Sequence, residues 1–379
     1  MATKAKKGNI KTVDIESLAT SFRETGCVPL DLALTNGRGI PEGGSVLFFA
    51  NSGCGKTTIF ADMCKNVLER ALEKGEDYKI VYVDIEGSRD LLLSMGLGPY
   101  IVSGNLILKE GSVTFNQLEE VYEDVLAWSE DPTNSKNKEE YKNVKIIIVD
   151  SLNMVQSQAL MNKAVDDGDY GSNAKERNRF YQKYFARCKG AGLTNMYITQ
   201  IRQKIDAMAF GEKTKAAIAE SDKFYFDIVM KGSKSEGAAK DMEKVTINTV
   251  FGKQEIQNRC KVTLKTDKGE WVKNRYGHYP NVDLLLEFGK RVISTYTVRE
   301  MLVGLGLISA GTNGRYTYSK LLQETLAPDG IEVDVTKNFL KKDINIFVTQ
   351  NYKTLLNMLK ANDLFKLIDT SIDIYDDGL

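Results

Sequence analysis

The chain has almost no histidine: His278 is the only one in 379 residues. Zinc sites draw on clustered Cys and His, and the five cysteines (Cys27, Cys54, Cys64, Cys188, Cys260) form no CxxC pair, so no such site is expected. Scattered single thiols read as free cysteines in a reducing compartment. Also missing is any apolar run of the about 20 residues that a membrane helix needs. The start Met1-Ala2-Thr3-Lys4 is basic with no apolar stretch behind it, so neither a membrane span nor a secretory signal is expected. Net charge is absent too, since 51 Lys and Arg balance 51 Asp and Glu. An anionic partner must then be met by local patches. Length and an ordinary 42% hydrophobic content fit one large domain plus a smaller one. No internal repeat is visible.

What is present starts at residues 45–58, Ser-Val-Leu-Phe-Phe-Ala-Asn-Ser-Gly-Cys-Gly-Lys-Thr-Thr. An apolar strand runs into a small-residue loop that ends Gly55-Lys56-Thr57, followed by a helix. Such a turn offers successive backbone N–H groups and a helix N-terminus to phosphate oxygens. Ala50, Asn51, Ser52, Gly53, Cys54, Gly55, Lys56, Thr57 and Thr58 are the candidate nucleotide loop. Lys56 is placed to reach the terminal phosphates, and Thr57 to hold Mg2+. Ala50 stands where the pattern usually has its first glycine. Cys54 inside the loop reads as a small filler, with thiol sensitivity as the sharper alternative.

Strand and helix alternate over the first 200 residues, which predicts a parallel sheet with right-handed crossovers. Strands are expected at 45–50, 79–84, 105–108, 144–149, 193–199, 224–231, 244–251, 258–266 and 270–275, with helices at about 57–72, 115–126 and 174–190. In the last of these, Phe180, Tyr181, Tyr184, Phe185 and Cys188 should point inward. Residues 13–24 and 28–34 suit short helices. Residues 203–221 show no core face and read as a loop. From about Val282 the pattern changes to short helices and turns. The expected organisation is a basic arm and short N-terminal segment (1–28), a core that holds the phosphate loop (29–281) and a C-terminal subdomain with an acidic tail (282–379).

Three strand ends carry candidate chemistry. Ile146-Ile147-Ile148-Val149-Asp150 ends in a carboxylate that either meets Mg2+ beside the loop or caps the next helix. Val81-Tyr82-Val83-Asp84-Ile85-Glu86 supplies a candidate general base. Glu86 is preferred, but spacing alone leaves Asp84 open. Gln200, at the end of a fourth strand, is either a phosphate sensor or a Gln satisfied by backbone.

Pro29-Leu30-Asp31-Leu32-Ala33-Leu34, the phosphate loop, Asp84-Ile85-Glu86 with Asp90, Val149-Asp150-Ser151, Gln200-Ile201-Arg202-Gln203-Lys204-Ile205 and Lys223-Phe224-Tyr225 occur in this order. Together they resemble the RecA recombinases, in particular bacterial RecA and the phage UvsX-like group, over about residues 25–310. The Gln-Ile-Arg run is the most specific piece. The resemblance implies a RecA-like α/β core, ATP and Mg2+ as cofactors, and Glu86, Lys56 and Gln200 as catalytic residues. It implies DNA-binding loops at about 157–173 and 201–219, with Arg177, Arg202, Lys204, Met208 and Phe210 at the DNA. Asp90 falls with the nucleotide residues. Phe224 and Lys223 fall at a protomer interface, and Lys265 and Lys268 resemble lysines that reach a neighbour's terminal phosphate. Single-stranded DNA, homologous duplex DNA and further copies of the chain in a helical filament are the implied partners, with no membrane and a cytoplasmic location. Leu93 stands where an aromatic often stacks on adenine, and the second loop lacks its usual glycine-rich middle. A ring helicase or clock-type ATPase, and a DNA-coating regulator that does not turn over, are the alternatives.

Overall fold

The computed structural model describes residues 20–158, 172–203, 214–234, 244–249, 252–257, 259–266, 272–276, 281–311 and 314–361. In chain order the first part holds β1 (Phe22–Arg23), α1 (Val28–Thr35), β2 (Ile40–Pro41), β3 (Ser45–Ala50), α2 (Lys56–Glu73), β4 (Lys79–Asp84), α3 (Arg89–Ser94), α4 (Gly98–Val102), β5 (Leu106–Glu110), α5 (Phe115–Glu130) and β6 (Val144–Asp150). Then come α6 (Ser172–Gly190), β7 (Thr194–Gln203), β8 (Thr214–Ala216), β9 (Ile228–Lys234), β10 (Lys244–Thr249), β11 (Gly252–Gln257), β12 (Arg259–Lys265), β13 (Lys273–Asn274), β14 (Asn281–Glu287) and β15 (Arg291–Val292). The rest is α7 (Ser294–Gly304), β16 (Ile308–Ala310), β17 (Arg315–Tyr318), α8 (Lys320–Leu326), β18 (Phe339–Leu340), α9 (Lys341–Gln350) and α10 (Tyr352–Ala361).

The main sheet has 11 strands in the order β15-β14-β12-β9-β3-β7-β6-β4-β5, with β13 added on β9 and β8 on β7. Strands β9, β3, β7, β6, β4 and β5 pair in parallel. Successive residues of these strands alternate between two cores. Val46, Phe48, Ile80, Tyr82, Ile146 and Ile148 join one, whereas Leu47, Phe49, Val81, Val83, Ile147 and Val149 join the other. Both faces are therefore covered, which is why these strands read as continuous apolar runs. The first face is covered by α1 and α2 and merges with the apolar side chains of α7–α10. The second is covered by α5 and α6, with Phe180, Tyr181, Tyr184 and Cys188 inward as expected and Phe185 half-buried against them. A capping box, Thr114 with Gln117, starts α5 where the apolar period begins.

Several expectations change, among them that residues 22–23, read as the end of a short helix, pair as β1 with β2. The sheet does not stop at residue 281: β14 pairs antiparallel with β12, and β15 with β14, so the core runs on to Val292 and the smaller unit begins at α7. That unit carries an antiparallel sheet, β16-β17-β18, between its helices. The strand expected at 244–251 is half of a hairpin whose return, β11, follows at once. Residues 214–216 are a strand on β7 rather than loop.

Candidate nucleotide and nucleic-acid site

Register sets the site. Ala50 of β3 lies beside Gln200 of β7, and Asp84 of β4 beside Asp150 of β6. Parallel strands in register bring their carboxyl ends to one edge, where a ligand of an open α/β sheet is met. The loop that leaves β3 turns at Gly53 (φ +76°) and Gly55 (φ +70°), conformations that suit glycine. At Gly55 an added Cβ would also lie 2.4 Å from Leu286 Cδ1, so that leucine side chain would have to shift. Helix α2 starts directly after it, aiming its N-terminus at the loop. Asn51, Ser52 and Gly53 are exposed and Cys54 is buried, its thiol pushed up by burial. That burial supports the filler reading of Cys54.

Lys56 is 7% exposed, and its Nζ donates to the carbonyls of Asn51 (3.2 Å) and Ala50 (3.4 Å). Both contacts are within the loop, so the amine sits over the space the turn encloses. Thr57 Oγ1 donates to Asp150 Oδ2 at 2.8 Å, and the Tyr82 hydroxyl donates to the same oxygen at 2.9 Å. Asp150 Oδ1 is buried with no hydrogen-bond partner among the described residues. Burial pushes the Asp150 carboxyl up to about 6. A buried carboxylate oxygen beside a threonine hydroxyl is a hard-oxygen donor set and fits Mg2+. Among the described residues no three His, Cys, Asp or Glu cluster as a metal cage. Mg2+ held through nucleotide phosphates does not need one.

Asp84 and Glu86 are now distinguishable by surroundings. Asp84 is fully buried, and its Oδ1 accepts from the Gly87 N–H at 3.0 Å, closing the turn after β4. Burial raises its carboxyl. Glu86 is exposed, and its Oε1 accepts from Ser151 Oγ (2.5 Å) and from Gln200 Nε2 (3.3 Å). The peptide between Asp150 and Ser151 is cis. Gln200 is held in turn by Asn153, whose Oδ1 accepts from the Gln200 N–H at 3.3 Å and from Thr199 Oγ1 at 3.0 Å. Spacing in sequence does not single out Tyr82, Ser151 or Asn153 for these contacts, because each partner comes from another strand end.

A model of the RecA N-terminal domain matches residues 3–269. The chain belongs to the RecA family. Family membership makes it a RecA-like P-loop protein of the recombinase and ATPase kind, with ATP and DNA as the ligands general to the family. No helix among the described residues is long and apolar enough to cross a membrane.

In this RecA-family chain the other candidates fall as follows. Asp90 and Leu93 are exposed on α3, just beyond Glu86. Arg202 is exposed on β7, directly opposite Lys215 of β8, a residue that sequence reasoning passed over. Phe224 is 67% exposed on a 3-10 turn, Glu220–Tyr225, and Lys223 beside it pairs with Glu220 at 3.6 Å. Lys265 ends β12 opposite Lys231, level with Phe49 rather than at the loop mouth. Lys204, Met208, Phe210 and Lys268 lie outside the described residues, as does residue 278. The resemblance put Arg177 at the DNA. It is buried on α6, and its Nε donates to the buried carboxylate of Asp222. An arginine following the loop is visible in sequence, but a partner 45 residues away is not.

Proposed function

We propose that the chain is an ATP-dependent recombinase of the group that holds bacterial RecA and the UvsX-like proteins. It polymerises on single-stranded DNA, pairs it with homologous duplex and hydrolyses ATP in a DNA-stimulated manner. The observation that carries this reading is the Glu86–Gln200 hydrogen bond. It joins the candidate base to a strand that continues directly into Ile201, Arg202 and Gln203, so one side chain links phosphate chemistry to a basic surface.

Residues 51–58 would take the ATP phosphates, and Lys56 would exchange its loop carbonyls for terminal phosphate oxygens. Thr57 and Asp150 would hold Mg2+, which would neutralise phosphate charge. Glu86 takes the proton from the attacking water, and Ser151 holds the carboxylate in place. Asp84 is the poorer base, because it is buried and engaged by the turn it closes. Gln200 releases Glu86 to bond the terminal phosphate, and so reports the nucleotide state along β7. Arg202 and Lys215 are two cations directly opposite on paired strands, an arrangement disfavoured without an anion and suited to a DNA phosphate. The family resemblance assigns Lys204, Met208 and Phe210 to DNA as well, with the apolar pair stacking on or wedging bases. Exposed Phe224, with Lys223, packs on the next protomer. Lys265 and Lys268 reach the nucleotide of a neighbouring copy.

The test is ATP hydrolysis with and without single-stranded DNA, together with electron microscopy of the same mixtures. Stimulated hydrolysis and helical filaments are expected. Closed rings point instead to a helicase or clock-type assembly, and coating without turnover to a regulator.

A further inference from the structure

We infer that Arg177 is a positioning residue that clamps the exits of the two proposed DNA loops together through Asp222, and is not itself a DNA contact. The inference rests on the DNA-binding reading above. Residue 172 begins α6 at the end of the segment 157–173, and the Glu220–Tyr225 turn follows the segment 201–219. Arg177 and Asp222 meet between these two elements, with side chains 10% and 2% exposed. Asp222 Oδ2 also accepts from the Ala219 N–H at 3.2 Å, which fixes the turn as it leaves β8. A second tie runs parallel. The Tyr225 hydroxyl donates to Asn178 Oδ1 at 2.5 Å and accepts from Gln182 Nε2 at 3.2 Å, both on α6. The Tyr181 and Tyr225 rings lie 5.2 Å apart beneath it.

The far side of the turn is fixed to the sensor strand. Ala217 N–H donates to the Gln200 carbonyl at 2.8 Å, and β8 pairs with β7 through Ile201–Ala216 and Arg202–Lys215. A displacement of β7 at Gln200 is therefore passed to the turn, and through Asp222 and Arg177 to the start of α6. The same turn carries exposed Phe224, so one rigid piece serves both loops and the proposed protomer contact. A guanidinium buried against a carboxylate is not free to neutralise a phosphate.

The clamp and the contact readings predict opposite signs. If Arg177 bound DNA, Asp222→Asn would release it and strengthen binding. The clamp predicts that Asp222→Asn weakens single-stranded DNA affinity and DNA-stimulated hydrolysis by about tenfold, with DNA-free hydrolysis retained. A second variant, Arg177→Met with Asp222→Leu, removes both charges while keeping the volume filled. It should bind DNA within about threefold of the parent with an unchanged salt slope, whereas loss of a phosphate contact would lower the slope by about 0.7. Limited trypsin digestion of the DNA-free protein gives a readout independent of DNA. Asp222→Asn should speed cleavage after Lys163 and after Lys204 together. Tighter DNA binding by Asp222→Asn, a reduced slope in the double variant, or unchanged cleavage at both lysines would overturn the clamp. Failure of the parent chain to bind single-stranded DNA would instead overturn the functional reading, and the digestion would still decide the clamp.

Discussion

The parallel half of the main sheet, β9 through β5, and its antiparallel flank, β12 through β15, are built from similar apolar residues and end differently. In the parallel half every strand points the same way, so Ala50, Asp84, Asp150 and Gln200 reach one edge. Polar groups at those ends meet one another and whatever binds there. In the flank each strand reverses, so its ends fall alternately at both edges and no such set gathers among the described residues. What the flank gives is packing. Val262, Leu264, Leu284 and Leu286 are fully buried, and Leu286 fills the space that Gly55 leaves. Chemistry thus follows strand direction, while support does not depend on it.

The largest effect expected on the parallel side is at Glu86. Glu86→Gln keeps the shape and the Gln200 contact but removes the base, so hydrolysis should fall by about 10³, equivalent to about 4 kcal/mol. ATP-dependent DNA binding should persist. Turnover under saturating ATP and filter binding on the same preparation check both. If Asp84→Asn abolishes turnover and Glu86→Gln is mild, the base is Asp84 and the turn-closing role drawn from Gly87 is secondary.

The flank is tested by removing packing alone. Leu284→Ala should cost about 3 kcal/mol of stability, read as a lower denaturant midpoint. Turnover per folded molecule should be unchanged. A matching loss of turnover would show that the flank shapes the loop through Leu286, and would blur the contrast between the halves.

A smaller effect separates two buried carboxylates, Asp150 at the active edge and Asp31 of α1, which packs on β14. Burial pushes the Asp31 carboxyl up to about 7, although it accepts from the Thr25 N–H and Oγ1. In the unfolded chain its pKa is about 3.9. Between those values the folded protein holds the extra proton, so stability from this group is complete below about 4 and is lost as pH rises through about 7. Asp31→Asn keeps an acceptor for Thr25 without the charge. It should raise stability by on the order of 2 kcal/mol at pH 8 and by little at pH 4.5, with ATP binding unaltered. Equal effects at both pH values would mean that the buried charge is not what costs stability there.

The parallel half was legible because burial on both faces leaves uninterrupted apolar runs, and because each run ends in a residue with distinctive chemistry. Asp150 and Gln200 close such runs, although in sequence each also fits a purely structural role. The flank was not. In β14, Leu284, Leu285 and Leu286 follow one another with no period, so a short helix was an equally good reading. In β11, Gly-Lys-Gln-Glu-Ile-Gln has a single apolar residue, too little to show alternation. The site itself was half legible. Sequence separates Glu86 from Asp84 by two positions and by nothing else, and only the turn at Gly87 and the contacts to Ser151 and Gln200 distinguish them. Arg177 carries the same lesson from the other side, since a cation in the expected place acquires its role from Asp222.

The smallest effect expected is at Ala50, the departure from the usual loop glycine. Ala50 is fully buried in the core shared with Phe48. Its neighbour across β9 is Gly232, where an added Cβ would lie 3.0 Å from the Ala50 Cβ and 2.7 Å from Phe48 Cζ. The methyl group is therefore accommodated by a glycine on the adjacent strand and is turned into the core. Ala50→Gly should change ATP affinity by less than about twofold and lower stability by at most about 1 kcal/mol, since glycine costs more chain entropy in a strand. Isothermal titration with a non-hydrolysable ATP analogue, beside a thermal melt, measures the two. A tenfold change in affinity would mean that the methyl group governs how closely the loop meets its nucleotide, and that β3 contributes to binding through its side chain as well as its direction.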